Sequence, residues 1–325
     1  MKNYLITGGA GFIGHHLARC LLEEKHSVTI FDNLIRSEKS RLDNLEGYSN
    51  FKLIRGNIKN YEELECHLEN IDCVYHLAAI NGTENFYKLP IEIMEVGIYG
   101  VMNILKASNK HNVRNLIIAS SAEVYQSAKI TPTKEDVELV IPDGKNPRYS
   151  YGLSKIVTEV YSLHYSFGGR TNLKIFRPHN IYGPNMGLKH VIPEFIVNLL
   201  KVDPTANFKP KGDLESTRAF CYIDDLIRGL RILEKNNSTH EIFHIGNDNE
   251  ISILNLLEMI MDLLEIKVSI EKTDLNLHVG SSTRRCPDIG KMKKLGYTPQ
   301  VSLEEGIKRT IEWYRNNLNS DNELI

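Results

Sequence analysis

Along the first half of the chain, short apolar runs alternate with longer stretches whose apolar residues recur at helical spacing. The runs NYLIT, SVTIFD, FKLIRGN, DCVYHLAA, NLIIAS and LKIFRP are strand-length and rich in branched and aromatic residues, so each reads as a buried strand. After the first run, Phe12, Ile13, Leu17, Cys20, Leu21 and Leu22 fall along one helix. Further helices are predicted over 61–68, 90–111 and 151–167. Strands alternating with helices of this length imply βαβ units and a parallel sheet. Past Pro178 the texture changes: HNIYGPNMGLKHVIP and NFKPKGDLESTRAF are rich in Gly, Pro and Asn. The pattern predicts an α/β fold, with a doubly wound parallel sheet in 1–179 that the segment 241–264 rejoins through EIFHIGN. A smaller C-terminal substrate-binding lobe is expected from 180–240 and 265–325.

Composition narrows the class. Lys plus Arg number 39 and Asp plus Glu 41, without long basic runs, which gives no reason to expect nucleic acid or a membrane surface as partner. No apolar stretch approaches the roughly 20 residues of a membrane span, and no secretory leader pattern is present. The five cysteines are scattered without zinc or disulfide spacing, and are read as buried fillers of a reduced, cytoplasmic protein with no metal. His15 and His16 are read as surface or packing residues of the first helix.

The first chemical signal is ITGGAGFIGHH. Gly8, Gly11 and Gly14 stand three residues apart between a strand and a helix. A dinucleotide pyrophosphate needs close backbone approach and the open N–H groups of a helix start. Asp32, ending the next strand, would accept bonds from the adenosine ribose hydroxyls and repel the extra phosphate of NADP. The cofactor expected is therefore NAD, although Arg36 is near enough in sequence to serve a phosphate. This motif makes the sheet Rossmann-type.

The second signal is YSYGLSK. Tyr151 and Lys155 are one helical turn apart, so the ammonium can lower the phenol pKa and the phenol can exchange a proton with a sugar hydroxyl. Ser121, at the end of a strand, would bond the same oxygen.

Together TGGAGFIG, FDN, HLAA, the strand-end serine, YGLSK, RPHNIYGP, RAFCYIDD and RRCPD resemble the extended short-chain dehydrogenase/reductases of the nucleotide-sugar epimerase/dehydratase family. The resemblance covers most of the chain. It implies a tightly held NAD, reduced and reoxidised within one cycle, a nucleotide-diphosphate sugar as substrate, and a homodimer through the helices near 91–111 and 151–167. It places NAD against Gly8, Gly11, Phe12, Ile13, Gly14, Asp32, Asn33, Asn57, Ile58, Leu77, Ala78, Ala79, Tyr151, Lys155 and Pro178. Asn57 stands where the family has an aspartate bonding the adenine amine. The substrate is placed against Asn81, Ser121, Ala122, Glu123, Tyr151, Asn180, His190 and Arg218, joined by Arg284 or Arg285. Asp225 is read as a cap of the helix that follows it, and Tyr149 as a pocket-shaping residue.

Reaction type turns on SSAEVYQ. Family dehydratases carry an acid followed by a glutamate that removes the carbon-5 proton, decarboxylases also keep the glutamate, 3,5-epimerases use a cysteine, and simple 4-epimerases have nothing ionisable there. Ala122-Glu123 lacks the dehydratase acid. The leading expectation is a 4-epimerase acting through a 4-keto hexose, with Ser121, Glu123, Tyr151 and Lys155 catalytic. The alternatives are a 4,6-dehydratase, decarboxylase or 3,5-epimerase using Glu123, with His190 as a second acid, or a non-catalytic NAD-binding regulator or scaffold.

Overall fold

The computed structural model describes residues 1–35, 42–168, 170–203, 205–271 and 282–318. Arg36 and part of the segment 265–325 lie outside them.

Six strands open the main sheet: β1 (Asn3–Thr7), β2 (Ser27–Asp32), β3 (Phe51–Arg55), β4 (Cys73–His76), β5 (Asn115–Ala119) and β6 (Asn172–Pro178). The chain then makes the short strands β7 (Ile181–Tyr182), β8 (Thr217–Ala219) and β9 (Cys221–Tyr222) before β10 (Glu241–Ile245) joins the main sheet beside β6. All pairings in that seven-stranded sheet are parallel, in the order β10-β6-β5-β4-β1-β2-β3. Strand order thus reverses between β1 and β4, which opens a crevice at their carboxyl ends. The smaller lobe holds β11 (Glu250–Ser252) and β12 (Arg284–Arg285), paired on either side of β8.

Both faces of the main sheet are covered, which is why its strands read as unbroken apolar runs. On one face Tyr4, Ile6, Tyr75, Ile117 and Phe176 are buried in a core shared with α1 (Phe12–Glu23). On the other, Leu5, Val74, Leu116, Ile118 and Ile175 share a core with Leu64 of α2 (Tyr61–Glu65) and with Val101, Ile104 and Leu105 of a longer helix. A short helix α3 (Thr83–Lys88) leads into that long one, α4 (Pro90–Lys110), which packs along α5 (Ser150–His164). Helix α5 stops short of the expected 167 because Tyr165 turns extended. Beyond α2 the chain continues to Leu68 as tight turns, with the His67 and Leu68 amides bonded three residues back.

After α6 (Val191–Lys201) comes α7 (Ile223–Lys235), which lies against α1 and β10, whereas α8 (Ile253–Leu264) lies against α6 and α10 (Leu303–Asn317). The segments 180–240 and 241–264 are each divided between sheet and lobe. A single turn, α9 (Gly290–Lys293), abuts β10.

Two readings are corrected. Asp225 does not cap α7, whose cap position is Tyr222; it is buried and accepts the amides of Gln300 (3.0 Å) and Val301 (3.2 Å) and a bond from Arg228, fastening the lobe to α7. Cys66 is exposed and Cys20 half-buried, so only Cys73, Cys221 and Cys286 are buried fillers. Of the two alternatives for His15 and His16, surface or packing, the structure has packing: both are buried, bonded to Asn44 Oδ1 (3.0 Å) and the Pro184 carbonyl (2.9 Å). Among the described residues no helix is long and apolar enough to cross a membrane.

Glu234 pins α7 to the sheet. Its carboxylate accepts bonds from Tyr4 (2.9 Å), Tyr75 (3.0 Å), Lys2 (2.9 Å) and Arg231. Burial raises its pKa, but Arg231, Lys2 and Tyr4 outweigh burial and hold it below the usual carboxylate value. A carboxylate depressed in the folded state stabilises above its unfolded pKa and loses that contribution as pH falls through the folded value. Glu234→Ala is therefore expected to lower stability by roughly 1–3 kcal/mol in urea unfolding at neutral pH, because the Tyr4 and Tyr75 hydroxyls lose their acceptor while Arg231 keeps only Glu24 (2.6 Å) as a carboxylate partner. The gap from wild type should narrow on acidification; a gap independent of pH would contradict this role.

Candidate active site

The crevice is built for close approach. Gly8 has φ +69°, and a Cβ there would stand 2.7 Å from the Ala78 backbone, so the turn admits only glycine beside β4. A Cβ on Gly14 would lie 2.7 Å from the Gly8 carbonyl oxygen, and one on Gly11 3.2 Å from it. Helix α1 begins at Gly11 with no side-chain cap and no acid in its first turn, which leaves its N–H groups, at Phe12 and Ile13, open to an anion. Asp32 closes the far side, accepting the amides of Ala10 (3.1 Å) and Leu34 (2.8 Å), with Asn33 beside it taking the Ile35 amide (3.2 Å). These residues fit a dinucleotide.

Leu77, Ala78 and Ala79 continue from β4, and Pro178 ends β6. Ile58 is buried beneath α4. The carbonyl of Asn57 already accepts the Lys59 amide (3.0 Å), so an adenine amine would share that oxygen.

On the other side of the crevice, Tyr151 and Lys155 occupy the first turns of α5, with Lys155 Nζ 5.8 Å from the Tyr151 ring centroid. Lys155 donates to the Ala119 carbonyl (2.7 Å), and burial lowers its pKa to about 8 against an opposing contribution from Glu159. A protonated lysine at neutral pH, poised to lose its charge just above it, suits tuning of a phenol. Ser121 heads a 3-10 turn over Ala122–Tyr125 and accepts the Glu123 amide (3.1 Å). That turn presses on α5: a Cβ on Gly152 would meet the Glu123 carbonyl at 2.8 Å, so the glycine of YGLSK lets loop and helix touch. Ser121, Tyr151 and Lys155 are thus brought together on facing elements. Tyr149 is buried two residues before Tyr151, at the end of the 3-10 turn Pro147–Tyr149.

Glu123 sits among arginines. Its carboxylate takes a bond from Arg285 Nη1 (2.8 Å) and faces Arg148 Nη2 at 3.8 Å. Burial raises its pKa, but the charges of Arg285 and Arg148, with a smaller push from Arg218, win and keep it ionised. Strand pairing explains the choice of Arg285 over Arg284. In the β8–β12 ladder Arg285 faces Arg218 and Arg284 faces Thr217, and alternate residues point to opposite faces. Arg284 therefore goes with Thr217 to the far side, where it grips Glu250 (2.8 Å). Arg218 is held by the carbonyls of Thr217 (2.7 Å) and Ser282, and burial lowers its pKa to about 10.

The remaining sequence-stated substrate residues spread wider. Asn180, at φ +41°, ties β6 to β8 through the Ala219 carbonyl (3.1 Å). Asn81 is engaged in the turn before α3, accepting the Gly82 amide (2.7 Å). His190 stands at the start of α6, its carbonyl accepting the Glu194 amide.

Two residues escaped the sequence reading, Phe86 and Arg148, and a third, Arg285, was named there only as an alternative to Arg284. Phe86 of α3 stacks flat on Tyr151, with ring centroids 5.3 Å apart and planes 11° apart. Arg148 and Arg285 reach Glu123. Only the RR pair in RRCPD offered a signal, and it left the choice of arginine open.

The family model described as "NAD dependent epimerase/dehydratase family" matches residues 4–246. The chain is 33% identical over 325 residues to UDP-glucuronic acid decarboxylase 1 of Xenopus tropicalis, across 98% of this chain and 73% of the relative. It is 32% identical to UDP-glucuronate 4-epimerase of Thermodesulfobacterium geofontis, across 98% of each. Among solved structures, UDP-glucuronic acid 4-epimerase from Bacillus cereus, in complex with UDP-glucuronic acid and NAD, superposes with TM-score 0.86 at 28% identity, covering 97% of this chain and 99% of that one.

Gly8→Ala is expected to abolish retention of NAD, read as nucleotide released on denaturing the purified protein, with the circular-dichroism spectrum unchanged. Full NAD content in that variant would contradict the placement of the pyrophosphate.

Proposed function

We infer that this chain, which belongs to the NAD-dependent epimerase/dehydratase family and is an NAD-dependent nucleotide-sugar enzyme, oxidises a UDP-linked uronic acid at carbon 4 and decarboxylates the resulting keto acid. The observation that carries the reading is the ionised Glu123 bound by Arg285 and faced by Arg148, on the loop of Ser121. The guanidinium groups there outnumber the carboxylate, so the site favours an anionic sugar. A neutral hexose that only rotates and takes its hydride back has no use for such a cluster.

The glycine turn and Asp32 would hold NAD, whose chemistry when bound would be reversible acceptance of the carbon-4 hydride. Tyr151 takes the proton of the 4-hydroxyl, Lys155 stabilises the phenolate, and Ser121 orients the oxygen. The 4-ketone makes the carbon-6 carboxylate a β-keto acid. The carbon 5–carbon 6 bond breaks, carbon dioxide leaves, and the electron pair moves into an enolate whose oxygen faces Ser121 and Tyr151. Carbon 5 then takes one proton from solvent, and return of the hydride to carbon 4, with Tyr151 giving back its proton to the oxygen, would restore the alcohol with no net redox change. Arg285 and Arg148 would hold the carboxylate until it departs, Glu123 would fix the Arg285 fork, and Arg218 with Asn180 would meet the diphosphate.

A second reading, 4-epimerisation of the same uronic acid, is favoured by the full-length similarity to a UDP-glucuronate 4-epimerase. Dehydration is disfavoured by buried Ala122, which offers no acid for a leaving hydroxyl. The scaffold alternative is set aside, since the relatives are enzymes. The reading includes NAD held mainly by 1–179, the sugar nucleotide held mainly by the smaller lobe, and a cytoplasmic location in keeping with five free thiols. It also includes a homodimer through α4 and α5, whose exposed Tyr99, Met102, Val160 and Tyr161 are apolar.

The test is product analysis by NMR in deuterated water with UDP-glucuronate, UDP-N-acetylglucosaminuronate and UDP-glucose. The expected product is a UDP-pentose carrying one deuterium at carbon 5, with carbon dioxide released. A carbon-4 epimer that keeps its carboxylate and gains no deuterium would replace this reading with the second; turnover of UDP-glucose alone would overturn both. Arg285→Gln is expected to slow carbon dioxide release by about 100-fold or more, in the range for loss of a positioned charge at a reacting centre.

A further inference from the structure

Behind the catalytic loop lies a second ion pair that the chemistry above leaves unused. Glu159 sits one turn beyond Lys155 on α5, and Arg177 lies near the end of β6; each side chain is 1% exposed. The pair is bidentate, with Arg177 Nε 2.7 Å from Oε1 and Nη2 2.6 Å from Oε2. Glu159 also accepts a bond from the Ser120 hydroxyl, and Arg177 Nη1 donates to the Tyr125 phenol and to the Glu135 carbonyl (2.9 Å). The phenol oxygen lies 2.6 Å from His244 Nε2, while Nδ1 lies 3.0 Å from the Asp288 carbonyl. A carbonyl only accepts, so Nδ1 carries the proton and Nε2 accepts from Tyr125.

Stability alone is a poor reason to keep such a pair. Removing two charges from water costs several kcal/mol per ion, and apolar replacements of buried pairs are often neutral or stabilising. What distinguishes this one is what it holds. Ser120 and Tyr125 bracket Ser121 and Glu123, so a single ion pair grips the loop at both ends. Its acid also faces Lys155. The ionisable groups around that ammonium are Tyr151 and Glu159 on its own helix and His76 on β4, where burial and Lys155 itself keep the imidazole neutral. Glu159 is the anion among them.

We propose that Glu159, paired with Arg177, is a positioning residue for the reaction: it fixes the loop that carries Ser121 and Glu123 and keeps Lys155 charged. The proposal rests on the Ser121–Tyr151–Lys155 reading but not on the identity of the sugar. The Lys155 ammonium is lost as pH rises through about 8, and removing the Glu159 charge moves that loss lower.

The experiment compares pH profiles of kcat and KM for wild type, Glu159→Gln, Glu159→Asp and Ser120→Ala, each on a UDP-sugar that wild type turns over. Glu159→Gln should lower kcat by about 10- to 100-fold, the scale for misplaced catalytic groups, and shift the alkaline limb to lower pH. Glu159→Asp should bring the limb back toward wild type. Ser120→Ala keeps the charge and should lower kcat with KM and limb unchanged. A folded Glu159→Gln with wild-type kcat and limb overturns the proposal. If that variant does not fold, Ser120→Ala decides: wild-type kcat there overturns it. Tyr151→Phe is run alongside; full turnover in that variant would sink the catalytic assignment itself, a failure distinguishable from a null result at Glu159.

Discussion

Strand order reverses between β1 and β4, and the loops leaving those two strands must part to opposite sides of the sheet. The glycine turn, Ser121, Tyr151 and Lys155 all lie on elements beside the gap this leaves. The glycine turn can fold back against the start of the next loop only because Gly8 adopts a left-handed conformation with nothing but backbone at Ala78 to meet. Helix α1 then starts with open amides, and Asp32 and Asn57 follow at the ends of the neighbouring strands. On the far side β5 delivers Ser121 and α5 delivers Tyr151 and Lys155. One topological constraint thus places the glycine turn, where a cofactor is proposed, and the proposed proton-transfer residues on opposite walls of one crevice.

The loop from Ser120 to Gln126 is held by two arginine–glutamate contacts of different kinds. Glu159–Arg177 is dry, bidentate and complete, with its remaining atoms satisfied by Ser120, Tyr125 and a carbonyl. Glu123–Arg285 is looser, at 19% and 17% exposure, and Arg285 comes from the separate β8–β12 ladder. A buried and fully satisfied pair suits a scaffold. A partly exposed pair with excess positive charge suits a ligand that brings its own carboxylate. Phe86 adds a third constraint by covering one face of the Tyr151 ring, so a sugar must approach the phenol from elsewhere.

Much of this was legible in the sequence because it is local. The glycine spacing, Asp32 and the Tyr151–Lys155 turn each need only a strand, a turn and a helix in the right order, and periodicity reports those. Arg285 meets Glu123 across 162 residues, and a two-residue strand carries no alternation from which to tell Arg285 from Arg284. Arg148, Phe86 and the Glu159–Arg177 pair likewise acquire their roles from tertiary contacts that no local pattern encodes. Asp225 looked like a cap by position, yet the loop at Gln300 and Val301 claimed it. Long-range backbone partners override local preference at such sites.

The central claim is that the cationic cluster around Glu123 recognises a sugar carboxylate. The most direct measurement is calorimetric binding of UDP-glucuronate and UDP-glucose to NAD-loaded Tyr151→Phe, which holds the sugar without turning it over. The account predicts at least about tenfold tighter binding of the uronate, about 1.4 kcal/mol, with the difference shrinking as salt rises. Equal affinities at low salt would contradict it.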